Sequence, residues 1–130
     1  MNIKQILAVS IILTIVTISS QAQQNEQYIY VSSWNLENLF DTVDDPGTHD
    51  TEFTPEGEGN WTSSRMKKKI ENQVNVIRTF DNGEGPDILG VQEVEHKELL
   101  DSLLVYFPTR NYSIVYEESP DYRGIDNGLI

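Results

Sequence analysis

The chain has no cysteine. That excludes a disulfide framework, a thiolate zinc site and a cysteine nucleophile, and it removes the residue on which a lipoprotein anchor is built. Basic residues are scarce: 9 Lys plus Arg stand against 21 Asp plus Glu, for a formal net charge of -12. A broad electrostatic grip on nucleic acid, which shows as a basic patch, is therefore not expected. Nucleic acid as a substrate stays open, because a metal ion can supply the positive charge that side chains lack. Apolar residues are thin too: 13 fall within the first 22 positions, and they make up about a third of the other 108. At 130 residues the chain is one domain at most, and so lean a core has difficulty offsetting chain entropy. The expectation is either a part of a larger domain or a very polar one.

Residues 1–22 read as a signal peptide. Lys4 is a short positive n-region, Ile6 to Ile18 is an apolar stretch, and Ser20-Gln21-Ala22 offers the small-x-small pattern that a signal peptidase cleaves. The 13-residue run is short for a spanning helix, which needs roughly 20 apolar residues. The expected product is secreted or periplasmic, with no stable membrane anchor after cleavage and a mature charge of -13 once Lys4 is lost. Residues 23–27 are polar and are expected to form a flexible mature N-terminus.

Beyond that point helical and strand patterns alternate. Tyr28 to Asn35 reads as a strand, rich in β-formers. Asp41 to Trp61 reads as a long loop with seven acids, no Lys or Arg, two Pro and three Gly; so long a loop is usually functional or disordered. Met66, Ile70, Val74, Ile77 and Phe80 form one apolar stripe, which predicts a helix over about 64–80 capped by Ser63 or Ser64. Ile88 to Val91 suits a buried strand, and Leu99, Leu100, Leu103, Leu104 and Phe107 predict a helix over about 96–106 that Pro108 ends. Tyr112 to Tyr116 alternates as a strand, and Gly128-Leu129-Ile130 begins another apolar run. The order is that of an α/β domain.

Two strands end in groups that can carry chemistry. Trp34-Asn35-Leu36-Glu37-Asn38-Leu39-Phe40-Asp41 closes the first, and Pro86-Asp87-Ile88-Leu89-Gly90-Val91-Gln92-Glu93-Val94-Glu95 is an apolar strand that runs into acids. In α/β sheets ligands bind at the carboxyl ends of strands. A carboxylate there needs a cation or hydrogen bonds to offset its desolvation. A hard divalent cation takes oxygen ligands, often one or two carboxylates with water and phosphate. Glu93 and Glu37 are the candidate ligands; the alternative is that both are solvated strand-end residues. A third segment, Ser119-Pro120-Asp121-Tyr122-Arg123-Gly124-Ile125-Asp126, carries an Arg-Gly pair.

Trp34-Asn35-Leu36-Glu37, the Pro86 to Glu93 strand and Arg123-Gly124, in this order, resemble the endonuclease/exonuclease/phosphatase family of metal-dependent phosphoesterases. Asn38 to Asp41, the Trp61 segment and Ser119 to Asp126 are similar to a secreted bacterial branch of it. The resemblance spans nearly all of residues 28–130. It implies a four-layer α/β sandwich of two mostly antiparallel sheets flanked by helices, present here as its N-terminal half. It implies Mg²⁺ as cofactor, with Mn²⁺ and Ca²⁺ as alternatives, and a phosphoester substrate, nucleic acid among the candidates. Residue by residue, Glu93 matches the principal metal ligand, Asn35 the active-site Asn that bonds the phosphate, and Glu37 a second acidic metal contact. Arg123 stands where a guanidinium suits bidentate phosphate binding; the plainer reading pairs it with Asp121 or Asp126.

The family's later half supplies an Asp-x-Asn pair, a His and a terminal Asp-His pair, which no segment of this chain matches; His49 and His96 lie in other contexts. The resemblance therefore implies a nuclease-like hydrolase whose metal carboxylate and Asn are here, while the residues that orient the attacking water and stabilise the transition state are not, so little or no activity is expected of this chain alone. Rival readings are a sugar- or lipid-phosphate phosphatase, a sphingomyelinase-like phosphodiesterase, and a non-catalytic secreted binding module. Asn127-Gly128 stands where a small apolar pair is expected. Arg65, Lys67, Lys68 and Lys69 read as the solvated face of a helix. The acidic loop could bind Ca²⁺, but it lacks EF-hand spacing and reads as a solvated lid or specificity loop. Asn60-Trp61-Thr62 and Asn111-Tyr112-Ser113 match the glycosylation pattern.

Overall fold

The computed structural model describes residues 27–130. The expected signal peptide, and all of the expected flexible segment except Gln27, lie outside the described residues. Four strands form one sheet: β1 (Val31–Leu39), β2 (Ile88–Val94), β3 (Val115–Glu117) and β4 (Asp126–Leu129), in the spatial order β1-β2-β4-β3. β1 and β2 are parallel, which requires a crossover between them; β4 runs antiparallel to both β2 and β3. The crossover holds the acidic loop and helix α1 (Ser63–Ile77), and helix α2 (Lys97–Leu104) follows β2. Among the described residues no helix is long and apolar enough to cross a membrane.

Both helices pack on the same face of the sheet. α1 contributes Ile70, Val74 and Ile77 and α2 contributes Leu99, Leu100 and Leu103 to a single core with Leu36, Leu89, Val91 and Ile130 from the sheet region. Burying each such side chain contributes about 1.5–3 kcal/mol. Gly128 explains the missing apolar pair: a Cβ there would lie 2.7 Å from Leu100 Cδ1 and 3.1 Å from Val91 Cγ2. The helix sits too close to β4 for a larger residue. The opposite face of the sheet is uncovered among the described residues, and it exposes Val31, Val115 and Leu129.

Element boundaries depart from the sequence expectations for local reasons. α1 is capped by Thr62, not by Ser63 or Ser64: Thr62 is extended and its hydroxyl accepts from Arg65 N–H at 3.4 Å. The helix stops at Ile77, before Phe80, because the chain turns extended at Phe80 and then left-handed at Asp81 and Asn82. Phe80 still joins the core, edge-on to Trp34 at 6.0 Å between ring centroids. The first strand begins at Val31 and runs on to Leu39, so Asn35, read as its last residue, lies at its middle. Val115–Glu117 replaces the expected Tyr112 to Tyr116 strand; Tyr112 turns inward against Phe107, its ring edge-on at 5.9 Å.

The entry to β2 is locked by Asp87. Its Oδ2 accepts from Tyr30 N–H at 2.8 Å, and its Oδ1 accepts from Arg110 Nη1 at 2.7 Å. Arg110 also donates to the carbonyls of Glu84 and Gly85 at 3.1 and 2.7 Å. The Tyr30 bond first, and then Arg110, hold the Asp87 carboxyl below its ordinary pKa. A depressed folded-state pKa stabilises the fold fully above the ordinary carboxylate value, and that contribution is lost as pH falls through the lower folded value. Asp87→Asn is expected to lower the thermal midpoint near neutral pH. The gap to the parent should narrow as pH drops below about 4. Thermal unfolding of both proteins across pH checks this.

Candidate active site

Parallel pairing of β1 and β2 puts their carboxyl ends side by side, and antiparallel β4 brings its amino end to the same place. Asn35 pairs with Gln92, and Gln92 in turn with Asn127. Just beyond these pairs both ladders lose register. Leu36, Glu37 and Asn38 of β1 together face the single residue Glu93 of β2 before pairing resumes at Leu39 and Val94. Glu93 is also the extra residue against β4. Glu37, Asn38 and Glu93 all adopt left-handed backbone, with φ of 54°, 59° and 61°. Bulges of this kind re-aim side chains at sheet ends. Left-handed backbone at a non-glycine residue costs about 1–3 kcal/mol, and such strain clusters at functional sites.

The bulge is braced from α1. Lys69 Nζ donates to the carbonyl of Glu37 and to that of Asn38, the latter at 3.2 Å. Gln73 Nε2 donates to the Leu36 carbonyl at 3.3 Å, and its Oε1 accepts from the Trp34 indole. These side chains satisfy carbonyls that the broken ladder leaves without strand partners. On the other side, Glu93 Oε2 accepts from Asn38 N–H at 3.1 Å and Asn35 Oδ1 accepts from Glu37 N–H at 2.6 Å.

Asn35, Glu93 and Arg123, three of the four sequence-derived candidates, line one cleft of about 340 Å³ with Gln92, Asp121 and Asn127. Arg123 is held there by a bidentate pair with Asp121, through Nε at 3.0 Å and Nη2 at 2.9 Å. Its Nη1 donates to Asn38 Oδ1 at 3.3 Å, so it is tied both to its own turn and to the bulge. Glu37 is exposed and does not line this cleft. Among the described residues, neither Glu37 nor Glu93 belongs to a group of three close metal-ligating side chains.

The Ser119 to Gly124 turn that carries Arg123 is itself fixed. Ser119 N–H donates to Asp126 Oδ1, Ser119 Oγ donates to the Ile125 carbonyl, and Gly124 N–H donates to the Asp121 carbonyl. Gly124 has φ of 76°, and a Cβ there would lie 3.0 Å from Thr48 Cγ2. The acidic loop packs against this turn: His49 N–H donates to the Tyr122 carbonyl at 2.9 Å.

A sequence model of the endonuclease/exonuclease/phosphatase family matches residues 30–130. The chain belongs to this family. No curated protein and no solved structure matches it. Members of the endonuclease/exonuclease/phosphatase family act on phosphoester substrates such as nucleic acids and depend on divalent metal ions. In this member acidic side chains crowd together beside the bulge. One oxygen from each of Asp45, Asp50 and Glu95 lies within 4.8 Å of the others, and Asp41, Glu95 and His96 form a second such group. Glu95 is buried; that burial, opposed by its bond from Asp41 N–H and reinforced by the charges of Asp41 and Asp50, pushes its carboxyl up to about 8.

Two features of the site escaped the sequence. Lys69 is not on a solvated face: it is half-buried and lies within 5.6 Å of the Trp61 ring centroid. Burial lowers its pKa, and the facing carboxylates of Glu37 and Glu93 offset part of that. Its i,i+4 spacing to Gln73 was the available signal, since two polar residues on one flank of an amphipathic helix can both reach a strand end. The acidic loop, read as a solvated lid or specificity loop, is anchored at two points along its length. Asp50 and Thr54 are buried in it, and Phe53 stacks on Phe40 at 3.9 Å between ring centroids.

The left-handed backbone at Glu93 has a direct consequence. Glu93→Gly and Glu93→Ala both lose the Asn38 bond, but only glycine relieves the backbone. Glu93→Gly is expected to be more stable than Glu93→Ala by about 1 kcal/mol, measured by chemical denaturation. Equal stability, or a more stable Ala variant, would argue against this conformation in solution.

Proposed function

We propose that the chain carries the metal-binding side of a secreted or periplasmic, nuclease-like phosphoester hydrolase. The observation that carries this reading is the bulge, which brings Glu93, Asn35 and Arg123 to one cleft at the carboxyl ends of two parallel strands. The donors there fit a hard divalent cation of the Mg²⁺ type. They are oxygens, and Asn38 N–H fixes one oxygen of the Glu93 carboxylate. A single carboxylate completed by water and phosphate is a usual Mg²⁺ arrangement.

In this reading Glu93 holds the metal; Glu37, which the resemblance offered as a second acidic contact, lies outside the cleft. When bound, the ion would polarise the phosphate and stabilise the leaving oxygen. Asn35 offers its amide N–H₂ to a phosphate oxygen, its Oδ1 being fixed by Glu37 N–H. Arg123 supplies positive charge at the cleft wall while Asp121 keeps its guanidinium in place. The uncovered sheet face, with exposed Val31, Val115 and Leu129, is where the second sheet of a four-layer sandwich would pack. No segment of this chain matches the water-orienting Asp or the transition-state His of the family.

The test is Mg²⁺-dependent hydrolysis of DNA, RNA and phospholipid head groups by the complete protein. Asn35→Ala and Glu93→Gln are each expected to reduce the rate by about 10²–10³-fold; an unchanged rate in Glu93→Gln would sink the site assignment. A complete protein that is folded yet inactive on every phosphoester would favour the binding-module reading. Residues 23–130 alone are expected to show little or no hydrolysis, and measurable Mg²⁺-dependent turnover by them would overturn that expectation.

A further inference from the structure

The acidic loop holds a cluster of carboxylates that the Glu93 reading does not absorb. Asp50 is fully buried. Its Oδ2 accepts from Asp45 N–H at 3.0 Å, but its Oδ1 is among the two buried side-chain polar atoms of the described residues without a hydrogen-bond partner, the other being the Ser32 hydroxyl. An orphaned hydroxyl is a modest penalty; an orphaned carboxylate oxygen is a severe one. Glu95, also buried, has Oε2 bonded by Asp41 N–H at 2.7 Å. Asp45 adds a third carboxylate, whose Oδ2 meets His96 Nε2 at 2.8 Å. Three carboxylates this close, two of them buried, cannot all stay ionised without a positive partner. Neither Lys nor Arg forms a salt bridge with any of them among the described residues.

We propose that Asp45, Asp50 and Glu95 form a structural binding site for a hard divalent cation of the Ca²⁺ type, which fastens the acidic loop to the end of β2. The donors of this cluster are all carboxylate oxygens drawn from one loop and one strand end. That suits Ca²⁺, which accepts several carboxylates in irregular geometry, better than Mg²⁺, which demands near-octahedral geometry and retains its waters. His96 already pairs with Asp45, so nitrogen ligation is not needed to complete the set. The cleft over this cluster, about 240 Å³, is lined by Asp45, Glu95 and His96 and shares Ser119, Asp121 and Asp126 with the Glu93 cleft. A cation here would order the wall that both clefts use. The proposal does not depend on Glu93 holding a metal.

Thermal unfolding of the full chain in EDTA, in about 5 mM Ca²⁺ and in about 5 mM Mg²⁺ tests it. With a dissociation constant in the submillimolar range common to extracellular calcium modules, Ca²⁺ should raise the midpoint by about 5 °C and Mg²⁺ by less. The shift should persist in Glu93→Gln and vanish in Glu95→Gln. Glutamine copies the shape of a neutral Glu95 and removes a charge from the cluster, so this variant should fold in EDTA. Asp45→Asn, at a partly exposed position, is a second variant that should fold and lose the shift. No Ca²⁺ shift in the parent, a shift kept in both cluster variants, or a shift lost in Glu93→Gln would each overturn the proposal.

Discussion

The site depends on how the carbonyls of Leu36, Glu37 and Asn38 are satisfied. A strand that leaves its ladder exposes backbone acceptors that must find donors, and here the donors come from helix α1. Lys69 and Gln73 stand one turn apart on the same flank and reach back to these carbonyls. Ile70, Val74 and Ile77, beside them, are fixed in the core. The apolar stripe of α1 therefore sets where its polar flank falls, and that flank sets the course of the strand end. Glu93 follows as the opposing residue of the same irregularity, and Asn38 N–H meets its carboxylate because both residues are left-handed.

This arrangement couples core packing to the proposed chemistry through very few residues. A change in the helix-to-sheet distance would move Lys69 and Gln73 together. Gly128 keeps that distance short, since a Cβ there would meet Leu100 Cδ1 and Val91 Cγ2. The turn carrying Arg123 is tied to the same point by the guanidinium bond to Asn38 Oδ1. Three separate segments thus converge on Asn38, a residue that was not among the candidate site residues of the sequence.

What the sequence made legible were the features that periodicity and strand order encode. The stripe of Met66, Ile70, Val74 and Ile77, the apolar run into Gln92-Glu93 and the α/β order all correspond to elements of the structure, and they put Asn35 and Glu93 on two of its strands. The bulge was not legible, because no glycine marks it: Glu37, Asn38 and Glu93 take left-handed backbone that their residue types disfavour. Lys69 was hidden for a different reason. Four basic residues in one turn look alike in sequence, and only the direction of the strand end separates the one that turns inward. The acidic loop misled through its composition; Asp50 is as buried as a core leucine, and composition averages give no hint of a single inward carboxylate.

The buried and half-buried acids of this chain show three ways of carrying negative charge. Asp87 has a guanidinium. Asp126 has no cation but is satisfied on both oxygens, by Tyr116 OH and by Ser119 N–H, and the hydroxyl of Tyr116 is correspondingly raised well above its ordinary pKa by burial and by that carboxylate. Asp50 has neither arrangement: one oxygen is bonded by Asp45 N–H and the other is buried without a hydrogen-bond partner. Its carboxyl nonetheless stays below the ordinary range, because hydrogen bonds led by Asp45 N–H outweigh the upward push of burial. Glu95 goes the other way: its own burial first, and then the neighbouring charges of Asp41 and Asp50, push its carboxyl up. A proton on Glu95 relieves the pair partially, and a divalent cation relieves all three carboxylates at once. The strongly acidic balance of the chain is therefore not a uniform surface property; part of it is concentrated at one seam between a loop and a strand end, where an ion rather than a side chain is the natural counter-charge.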